Sequence, residues 1–322
     1  MEKIKRFIEC LIPVTVCNLK CSYCYITQLR DRDNKLPEFK YDLKTISVAL
    51  SKKRLGGCSY ISICGAGETL IPCEIVGITH SFLMNGHFVN LTTNGTQTER
   101  FIQLMDTSLD NRSRLHFAFS LHYLELLNKN LLDVFFENIK RIRKAGCSFV
   151  VQINMCDEYI PYLDKIREIC IKEVGAPPQV AATRNERTSP VELLTALSKK
   201  EYSELGKKFD SPLFNFTLKN FMVKRKEYCY AGKWSGVLNL ATGEMRRCYS
   251  DTSPQNIFED VSKPIIFKAI GRSCGSDFCV NSSHFMSLGI IPFLKPLLMV
   301  NLETGKVLIG TLQKCRNFFL EN

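Results

Sequence analysis

Three features that the sequence lacks limit the classes of protein to which this chain can belong. No apolar stretch provides the roughly 20 residues that cross a bilayer, because the longest one near the C-terminus, residues 290–300, is interrupted by two prolines and a lysine. The amino end lacks the continuous apolar core of a secretory signal, since Glu9 and Pro13 break its first apolar run. Low-complexity segments and internal repeats are also missing. We therefore expect a globular, cytoplasmic protein with no membrane segment.

The composition makes the cysteines the informative residues. The chain has 322 residues, 45% of them hydrophobic, which excludes global disorder and suffices for one large domain with a smaller one. Fifteen residues are cysteine. In a secreted protein this number would indicate a disulfide framework, whereas in the reducing cytoplasm clustered cysteines indicate metal binding or catalysis.

The charge is strongly basic. Lysine and arginine outnumber aspartate and glutamate by 43 to 32, which gives a formal net charge of +11. Any single basic run is more simply a solvated surface, but the excess could attract a nucleic acid, a phosphorylated metabolite or an acidic peptide. Because no basic tract is interleaved with aromatic residues, nucleic acid is not indicated.

Short apolar runs alternate with stretches of helical periodicity over residues 7–209. The predicted strands are 7–14, 60–64, 88–93, 115–121, 149–155 and 179–183, and the predicted helices are 37–53, 72–85, 99–106, 126–145, 159–174 and 199–209. This alternation is typical of an α/β fold with a parallel sheet and crossover helices. In parallel barrels, sites lie at the C-terminal ends of the strands, in the loops that follow them.

Three cysteines follow the first predicted strand at the spacing C-x3-C-x2-C. They are Cys17, Cys21 and Cys24. Closely spaced thiolates are the ligands of iron–sulfur clusters. A cubane cluster has four irons, so three thiolates leave one iron open, as in a reactive rather than a structural metal site. Zinc is the alternative, but it needs a fourth donor, and the next cysteine and the first histidine are only Cys58 and His80.

The cysteine motif resembles the signature of the radical S-adenosylmethionine (SAM) superfamily, C-x3-C-x-aromatic-C, with Tyr23 at the aromatic position. Further motifs follow in the order in which this family has them. The resemblance implies a partial (β/α)6 barrel of the TIM type. It also implies a [4Fe–4S] cluster on the three cysteines, with SAM bound at the open iron.

The downstream motifs imply which residues bind SAM. Segment 64–69, Cys-Gly-Ala-Gly-Glu-Thr, resembles the family's G-G-E motif, whose glutamate pairs with the amino group of SAM, although Thr69 replaces the usual proline. Segment 92–96 resembles a Thr-Asn-Gly stretch beside the SAM pocket, and the family often has a ribose-contacting serine at the end of the fourth strand. The implied SAM-binding residues are Tyr23, Gly65, Ala66, Gly67, Glu68, Asn94, Ser120, Asn154 and Arg184.

Some of these residues keep a plain structural alternative. For Asn154 and Arg184, ordinary surface polarity is about as good an interpretation as SAM binding. His122 could be catalytic, but a satisfied histidine at a strand end is the more common case. The sequence assigns no catalytic residue.

A second group of cysteines lies near the C-terminus. Cys229, Gly243 and Cys248 match the C-x(9–15)-G-x4-C opening of the SPASM and twitch extensions of this superfamily. A hairpin with glycine at its turn would carry both thiolates towards one point. Cys274 and Cys279 could complete a second, auxiliary [4Fe–4S] cluster. The longer SPASM run C-x2-C-x5-C-x3-C is absent, so one twitch-like cluster is the better interpretation, and scattered buried thiols are the alternative.

These motifs divide the chain into a radical SAM barrel over 1–209, a linker over 210–228 and an auxiliary iron–sulfur domain over 229–322. We expect two hairpins in the last part, at 236–249 and 297–309. Cys315 is a reserve ligand for the auxiliary cluster.

The resemblance implies an enzyme that reductively cleaves SAM to a 5′-deoxyadenosyl radical, which abstracts a hydrogen from a substrate. We expect an oxidoreductase acting on a small anionic metabolite such as a sugar derivative, served by an electron donor such as flavodoxin or ferredoxin. The basic excess and the short segment before Cys17, which leaves no room for a fused leader-peptide domain, favour a small substrate.

Two alternatives remain from the sequence. One is a peptide-modifying maturase of the same superfamily. The other is a non-catalytic iron–sulfur electron carrier, against which the SAM-pocket motifs argue, because a carrier needs no SAM pocket.

Overall fold

A six-stranded parallel sheet forms the centre of the fold. The computed structural model describes residues 4–224, 228–272, 274–276, 278–279, 299–300 and 307–308. The central strands are β1 (Arg6–Ile12), β2 (Ser59–Gly65), β3 (Phe88–Thr93), β4 (Leu115–Ser120), β5 (Ser148–Met155) and β6 (Gln179–Ala182). They neighbour one another in sequence order. The predicted α/β fold and partial barrel are confirmed, and each strand ends within two residues of its predicted bounds.

Helices follow the strands and cover one face of the sheet. They are α1 (Tyr25–Leu29), α2 (Leu43–Ala49), α3 (Lys52–Leu55), α4 (Glu74–Met84), α5 (Thr98–Met105), α6 (Leu109–Ser113), α7 (Tyr123–Asn128), α8 (Leu132–Lys144), α9 (Leu163–Val174), α10 (Lys199–Lys207) and α11 (Pro212–Asn220), with a 3-10 helix at Asp157–Tyr162. Among the described residues, no helix combines the length and the apolar character of a bilayer span.

The core lies between this face of the sheet and the helices. Alternate strand residues such as Ile8, Ile61, Leu91 and Phe117 are fully buried there. Burying a side chain of this size contributes roughly 1.5–3 kcal/mol. The opposite face of the sheet is the concave inner face of the barrel.

Two predicted helices differ from the observed ones for local reasons. The helix predicted from residue 37 begins only at Leu43, because the Asp42 carboxylate accepts the Thr45 N–H at 2.7 Å and caps the helix there. The helix predicted over 126–145 is two helices, α7 and α8. Asn130 between them has a left-handed backbone with φ of 55°, which ends the first helix.

The segment predicted as a linker contains a packed helix. Ser211 caps α11 by accepting the Phe214 N–H, and Pro212 occupies the first helical turn. The Phe214 ring is fully buried against Gly206 of α10, where any Cβ would lie 1.9 Å from that ring. Residues 212–220, within the predicted linker, therefore form a helix that packs on α10.

The C-terminal part extends the same sheet. Strands β7 (Arg184–Asn185) and β8 (Glu192–Leu193) form a separate ribbon, and β9 (Ser235–Asn239), β10 (Glu244–Arg246) and β11 (Gln255–Asn256) continue the central sheet. β9 pairs parallel with β1 and antiparallel with β10. The first predicted hairpin is therefore present, with φ of +78° at Gly243 in its turn.

The second predicted hairpin is described only at its two paired segments. β12 (Met299–Val300) pairs antiparallel with β13 (Val307–Leu308), and the residues between them lie outside the described part. The division of the chain into barrel, linker and auxiliary domain stays a prediction.

Candidate functional site

The three N-terminal cysteines lie on the loop between β1 and α1. Cys21 is buried, and Cys17 and Cys24 are half-buried. The Leu19 N–H donates to Cys17 Sγ over 3.5 Å, and Asn94 Nδ2 lies 3.8 Å from the same sulfur. Hydrogen-bond donors at these positions stabilise negative charge on the sulfur.

The protonation of these thiols depends on what they bind. Burial raises the pKa of the Cys21 thiol to about 12. Burial also raises the pKa of Cys17, and the Leu19 N–H and the Arg32 charge lower it by less. Free thiols with raised pKa values stay protonated at neutral pH, whereas coordination to a metal deprotonates them.

The donor set fits a three-thiolate cluster. No three His, Cys, Asp or Glu side chains in the described residues converge as they would around a single ion. A cubane cluster has a different requirement, because each thiolate binds its own iron. Three thiols on one loop, with no further cysteine before Cys58, are the donors that leave one iron of such a cluster open.

The glycine-rich segment after β2 packs directly on the cysteine loop. The Gly67 N–H donates to the Val14 carbonyl at 2.5 Å, and the Glu68 N–H donates to the Val16 carbonyl at 2.9 Å. A Cβ on Gly67 would lie 2.1 Å from the Val16 oxygen, and one on Gly65 would lie 2.5 Å from Val14 Cγ1. The close approach of the two loops therefore requires glycine at both positions.

Glu68 ties the loop after β2 to the loop after β3. The residue is 2% exposed, and its carboxylate accepts the Thr93 hydroxyl at 2.6 Å, the Asn94 N–H at 2.7 Å and the Leu70 N–H at 3.1 Å. Burial raises the pKa of this carboxyl, and the three hydrogen bonds oppose that shift. A carboxylate has about four lone-pair sites, so one is left for a ligand.

Tyr23 is held by two side chains from other elements. Its hydroxyl lies 2.7 Å from His122 Nδ1 and 3.0 Å from the Tyr159 hydroxyl. Burial lowers the pKa of His122 to about 4, so the imidazole is neutral at physiological pH. His122 is thus a satisfied histidine at a strand end, which positions the tyrosine of the cysteine loop.

Gln28 joins the cysteine loop to the end of β6. Its Nε2 donates to the Tyr23 carbonyl at 2.8 Å and to the Arg184 carbonyl at 3.0 Å, and its Oε1 accepts the Glu186 N–H at 3.0 Å. The Arg184 guanidinium pairs with the Glu186 carboxylate at 2.7 Å. Sequence reasoning missed Gln28, because nothing local distinguishes a glutamine with buried partners from an exposed one.

These loops enclose a cavity of about 270 Å³ near the C-terminal ends of the central strands. Its size is close to the lower end of the range for small-molecule sites, about 300–1,000 Å³. The three N-terminal cysteines and all nine implied SAM-binding residues line it, Asn154 and Arg184 included. Other lining residues, not singled out as SAM-binding from the sequence, are Leu19, Tyr25, Gln28, Arg32, Thr69, Thr92, Thr93, His122, Ala182, Thr183 and Glu186. The ligand role of each residue stays a prediction.

Three of the four predicted auxiliary cysteines share one neighbourhood. Cys229 exchanges backbone hydrogen bonds of 3.0 and 2.8 Å with Gly271. Burial raises the pKa of both Cys229 and Cys248. The nearby thiols of Cys274 and Cys248 raise the pKa of Cys229 further, and the thiol of Cys274 does the same for Cys248. The hairpin and the residues after it thus bring these three thiols within electrostatic range of one another.

The remaining auxiliary candidates are placed differently. Cys279 lines a second cavity, of about 640 Å³, which shares Arg184 and Glu186 with the first. Cys315 lies outside the described residues. A complete set of four auxiliary ligands is therefore still a prediction.

Comparison with protein families finds a match to the first half of the chain. Residues 11–160, which include the cysteine loop and the Glu68 and Asn94 loops, match the model of the radical SAM superfamily. This match covers just under half of the chain, so residues 11–160 are similar to a radical SAM domain. Such a domain implies an enzyme that uses a [4Fe–4S] cluster and SAM. No curated protein is similar enough in sequence to count as a match.

Solved radical SAM structures share the fold. Streptococcus suis SuiB bound to S-adenosylmethionine is 15% identical, with a TM-score of 0.55 over 80% of this chain and 64% of SuiB. The chain thus spans less than two thirds of the length of SuiB. Native anSMEcpe with bound AdoMet is 14% identical, with a TM-score of 0.55 over 81% of this chain and 80% of anSMEcpe. At these identities the likeness supports the radical SAM fold and nothing finer.

Proposed function

We propose that this protein is a radical SAM oxidoreductase that acts on a C–H bond of a polar substrate. The observation that carries the proposal is the single cavity lined by the three thiols and by all nine implied SAM-binding residues. A [4Fe–4S] cluster on Cys17, Cys21 and Cys24 would supply the electron that cleaves SAM, and the resulting 5′-deoxyadenosyl radical would take a hydrogen from the substrate.

The chain's own residues would bind and orient SAM and the substrate. The remaining lone pair of Glu68 would accept the amino group of SAM, and the close-packed Gly65–Gly67 backbone lets a ligand approach the cysteine loop. Ser120 and Asn154, on β4 and β5, would hold polar groups further along the same cavity. Gln28 and Tyr23 fix the loop, so that the site is organised before the ligand arrives.

The second group of thiols supports the oxidoreductase assignment. Cys229, Cys248 and Cys274 would hold an auxiliary cluster, with Cys279 or Cys315 as the fourth ligand. A second redox group beside the barrel favours an oxidation over a redox-neutral rearrangement. The domain would work in the cytoplasm and receive electrons from a donor such as flavodoxin or ferredoxin.

The net charge of +11 supports a small anionic metabolite, such as a sugar derivative, as the substrate. A peptide is the second candidate, because two solved structures of this fold are of SuiB bound to its precursor peptide SuiA and of anSMEcpe bound to the Cp18Cys peptide. The second cavity, lined by Pro190, Phe221, Met222 and Phe278 among others, is large and apolar enough for peptide side chains.

Anaerobic reconstitution tests the proposal directly. Protein reconstituted with iron and sulfide, then supplied with dithionite and SAM, should release 5′-deoxyadenosine. Cys24→Ala should abolish that product, whereas Cys73→Ala, which changes an exposed cysteine outside the cavity, should retain it. A colourless preparation, bound zinc in place of iron, or no 5′-deoxyadenosine from the unaltered protein would each refute the assignment.

Iron content tests the auxiliary cluster separately. The triple change of Cys17, Cys21 and Cys24 to Ala should leave about half of the bound iron, if each cluster is held independently. Near-zero iron in a triple variant that still folds would mean that the protein has one cluster.

A further inference from the structure

The inner face of the barrel is accessible and mostly polar. On the helix-facing side of β1, β2 and β5 the alternate residues are buried, whereas most of their inner-face neighbours, with Phe7 as an exception, are half-buried or exposed. Polar residues of this half-buried set include Glu9, Ser62, Thr92, Ser120, Gln152 and Asn154. A closed parallel barrel fills its interior with apolar side chains. An open, polar inner face is instead suited to a polar ligand.

Glu9 is the one charged side chain on the inner face of the six central strands. Strand register places it beside Ser62 on β2, which in turn lies beside Asn90 on β3. Asn90 Nδ2 donates to Ser62 Oγ at 3.0 Å, and the buried Asn90 Oδ1 has no hydrogen-bond partner within the described residues. This layer of the barrel therefore carries two acceptors, one charged and one neutral.

The Glu9 carboxylate lies near Cys64 and Tyr249, which are next in sequence to Gly65 of the SAM cavity and to Cys248. Its Oε1 is 4.0 Å from the sulfur of Cys64, the residue before Gly65 of the SAM cavity. Glu9 interacts electrostatically with Tyr249, which directly follows Cys248. Tyr25, which lines the SAM cavity, interacts electrostatically with Cys64 and with Tyr249. A substrate held at Glu9 would thus border the SAM cavity on one side and the hairpin on the other.

We propose that Glu9, assisted by Tyr249, binds an amine or guanidine group of the substrate on the inner face of the barrel. The role of this group as part of a substrate rests on the proposed function. An ionised carboxylate accepts hydrogen bonds and donates none, and its bonds to cationic donors are about twice as strong as neutral ones. The negative charge of Glu9 is opposite in sign to the net charge of the whole chain. Net charge governs long-range encounter, whereas the groups in the site select the bound part. An amino sugar phosphate satisfies both requirements, because its phosphate is attracted by the net positive charge of the chain and its amine by Glu9.

Fragment binding to the reconstituted full-length protein tests this inference. The probes are ethanolamine and methylguanidine, with ethylene glycol and methylurea as neutral counterparts and acetate as the anion, measured by saturation-transfer NMR titration. The cationic fragments should bind at least tenfold more tightly than the neutral ones. Glu9→Gln should remove that preference, because a charge-assisted hydrogen bond is lost. Glu38→Gln, the same charge change at an exposed position, should leave it intact.

Tyr249→Phe provides a second variant that keeps the charge. It should weaken binding of the cationic fragments about threefold or more, since it removes one hydroxyl beside the carboxylate. Equal binding of neutral and cationic fragments, no cationic binding, or full cationic binding by Glu9→Gln would each overturn the inference. The result is independent of 5′-deoxyadenosine formation. Unaltered protein that releases this product but binds no amine refutes only the inference, and the reverse result refutes only the proposed function.

Discussion

Gly67 is the position at which one added methyl group should disable the site. Its Cβ would lie 2.1 Å from the Val16 carbonyl oxygen, 2.7 Å from the Val16 carbonyl carbon and 2.9 Å from the Thr15 carbonyl carbon. All three are backbone atoms, so no side-chain rotation can relieve the contact. Gly67→Ala must therefore separate the glycine-rich loop from the cysteine loop.

The cost follows from the contacts that would be lost. Separation breaks the hydrogen bonds from Gly67 to Val14 and from Glu68 to Val16. At about 0.5–1.5 kcal/mol each, the loss is about 1–3 kcal/mol. At the 2–4 °C per kcal/mol typical of domains of 150–250 residues, the unfolding temperature should fall by roughly 2–12 °C. SAM affinity should fall roughly 5- to 150-fold if the same 1–3 kcal/mol is lost from binding, since each 1.4 kcal/mol corresponds to a factor of ten.

Calorimetric unfolding and SAM titration of the reconstituted protein measure both effects. Gly77→Ala is the matched control, because its Cβ would meet only the Leu43 side chain, at 3.2 Å, and alanine favours the helix α4. That variant should equal or slightly exceed the parent in stability and bind SAM normally. Unchanged stability and SAM affinity in Gly67→Ala would refute the argument that the two loops must touch through their backbones.

Three further predictions concern other parts of the fold. Burial lowers the pKa of His116 to about 4 from about 6.5, so the unfolded chain binds more protons between these values, and stability should fall by about 3 kcal/mol as the pH drops through that window. His116→Gln, which can still bond Ser148, should flatten that part of the stability–pH curve measured by urea unfolding. Phe214→Ala should cost about 3–5 kcal/mol and lower the urea midpoint, and a change below 1 kcal/mol would mean that α11 is not packed as described. Gly243 has φ of +78°, and a Cβ there would lie 2.7 Å from Phe258. Gly243→Ala should therefore lower the iron content of the triple-cysteine variant, and an unchanged iron content would mean that the hairpin turn does not position the second cluster.

Most of the fold could be predicted because it depends on local patterns. The strands are short apolar runs whose helix-facing residues are buried, and the motifs follow them because parallel strands present their C-terminal loops at one edge. The helix in the supposed linker also had a local signal. Ser211-Pro212 is an N-cap followed by proline at the first helical position, which starts a helix as readily as it interrupts one.

The parts of the site that could not be predicted depend on distant partners. Gln28 meets Arg184, and Tyr159 meets Tyr23, only once the chain has folded, over sequence separations of 156 and 136 residues. In the sequence, Glu9 is distinguished only as a charged residue that interrupts an apolar run. Its significance depends on which face of β1 it occupies, and a one-residue shift of register would have placed it among the core residues instead.

The position of β1 connects the two cysteine constellations. One edge of β1 pairs with β2, whose following loop packs on the N-terminal cysteines, and the other edge pairs with β9 of the C-terminal hairpin. The Leu240 N–H also donates to the Leu11 carbonyl at 2.9 Å, close to the start of the cysteine loop. The hairpin that carries Cys248 is therefore built onto the same strand that positions Cys17. Because packed sheets transmit small displacements rather than absorb them, the distance between the two groups of thiols is set by the register of β1 with β9.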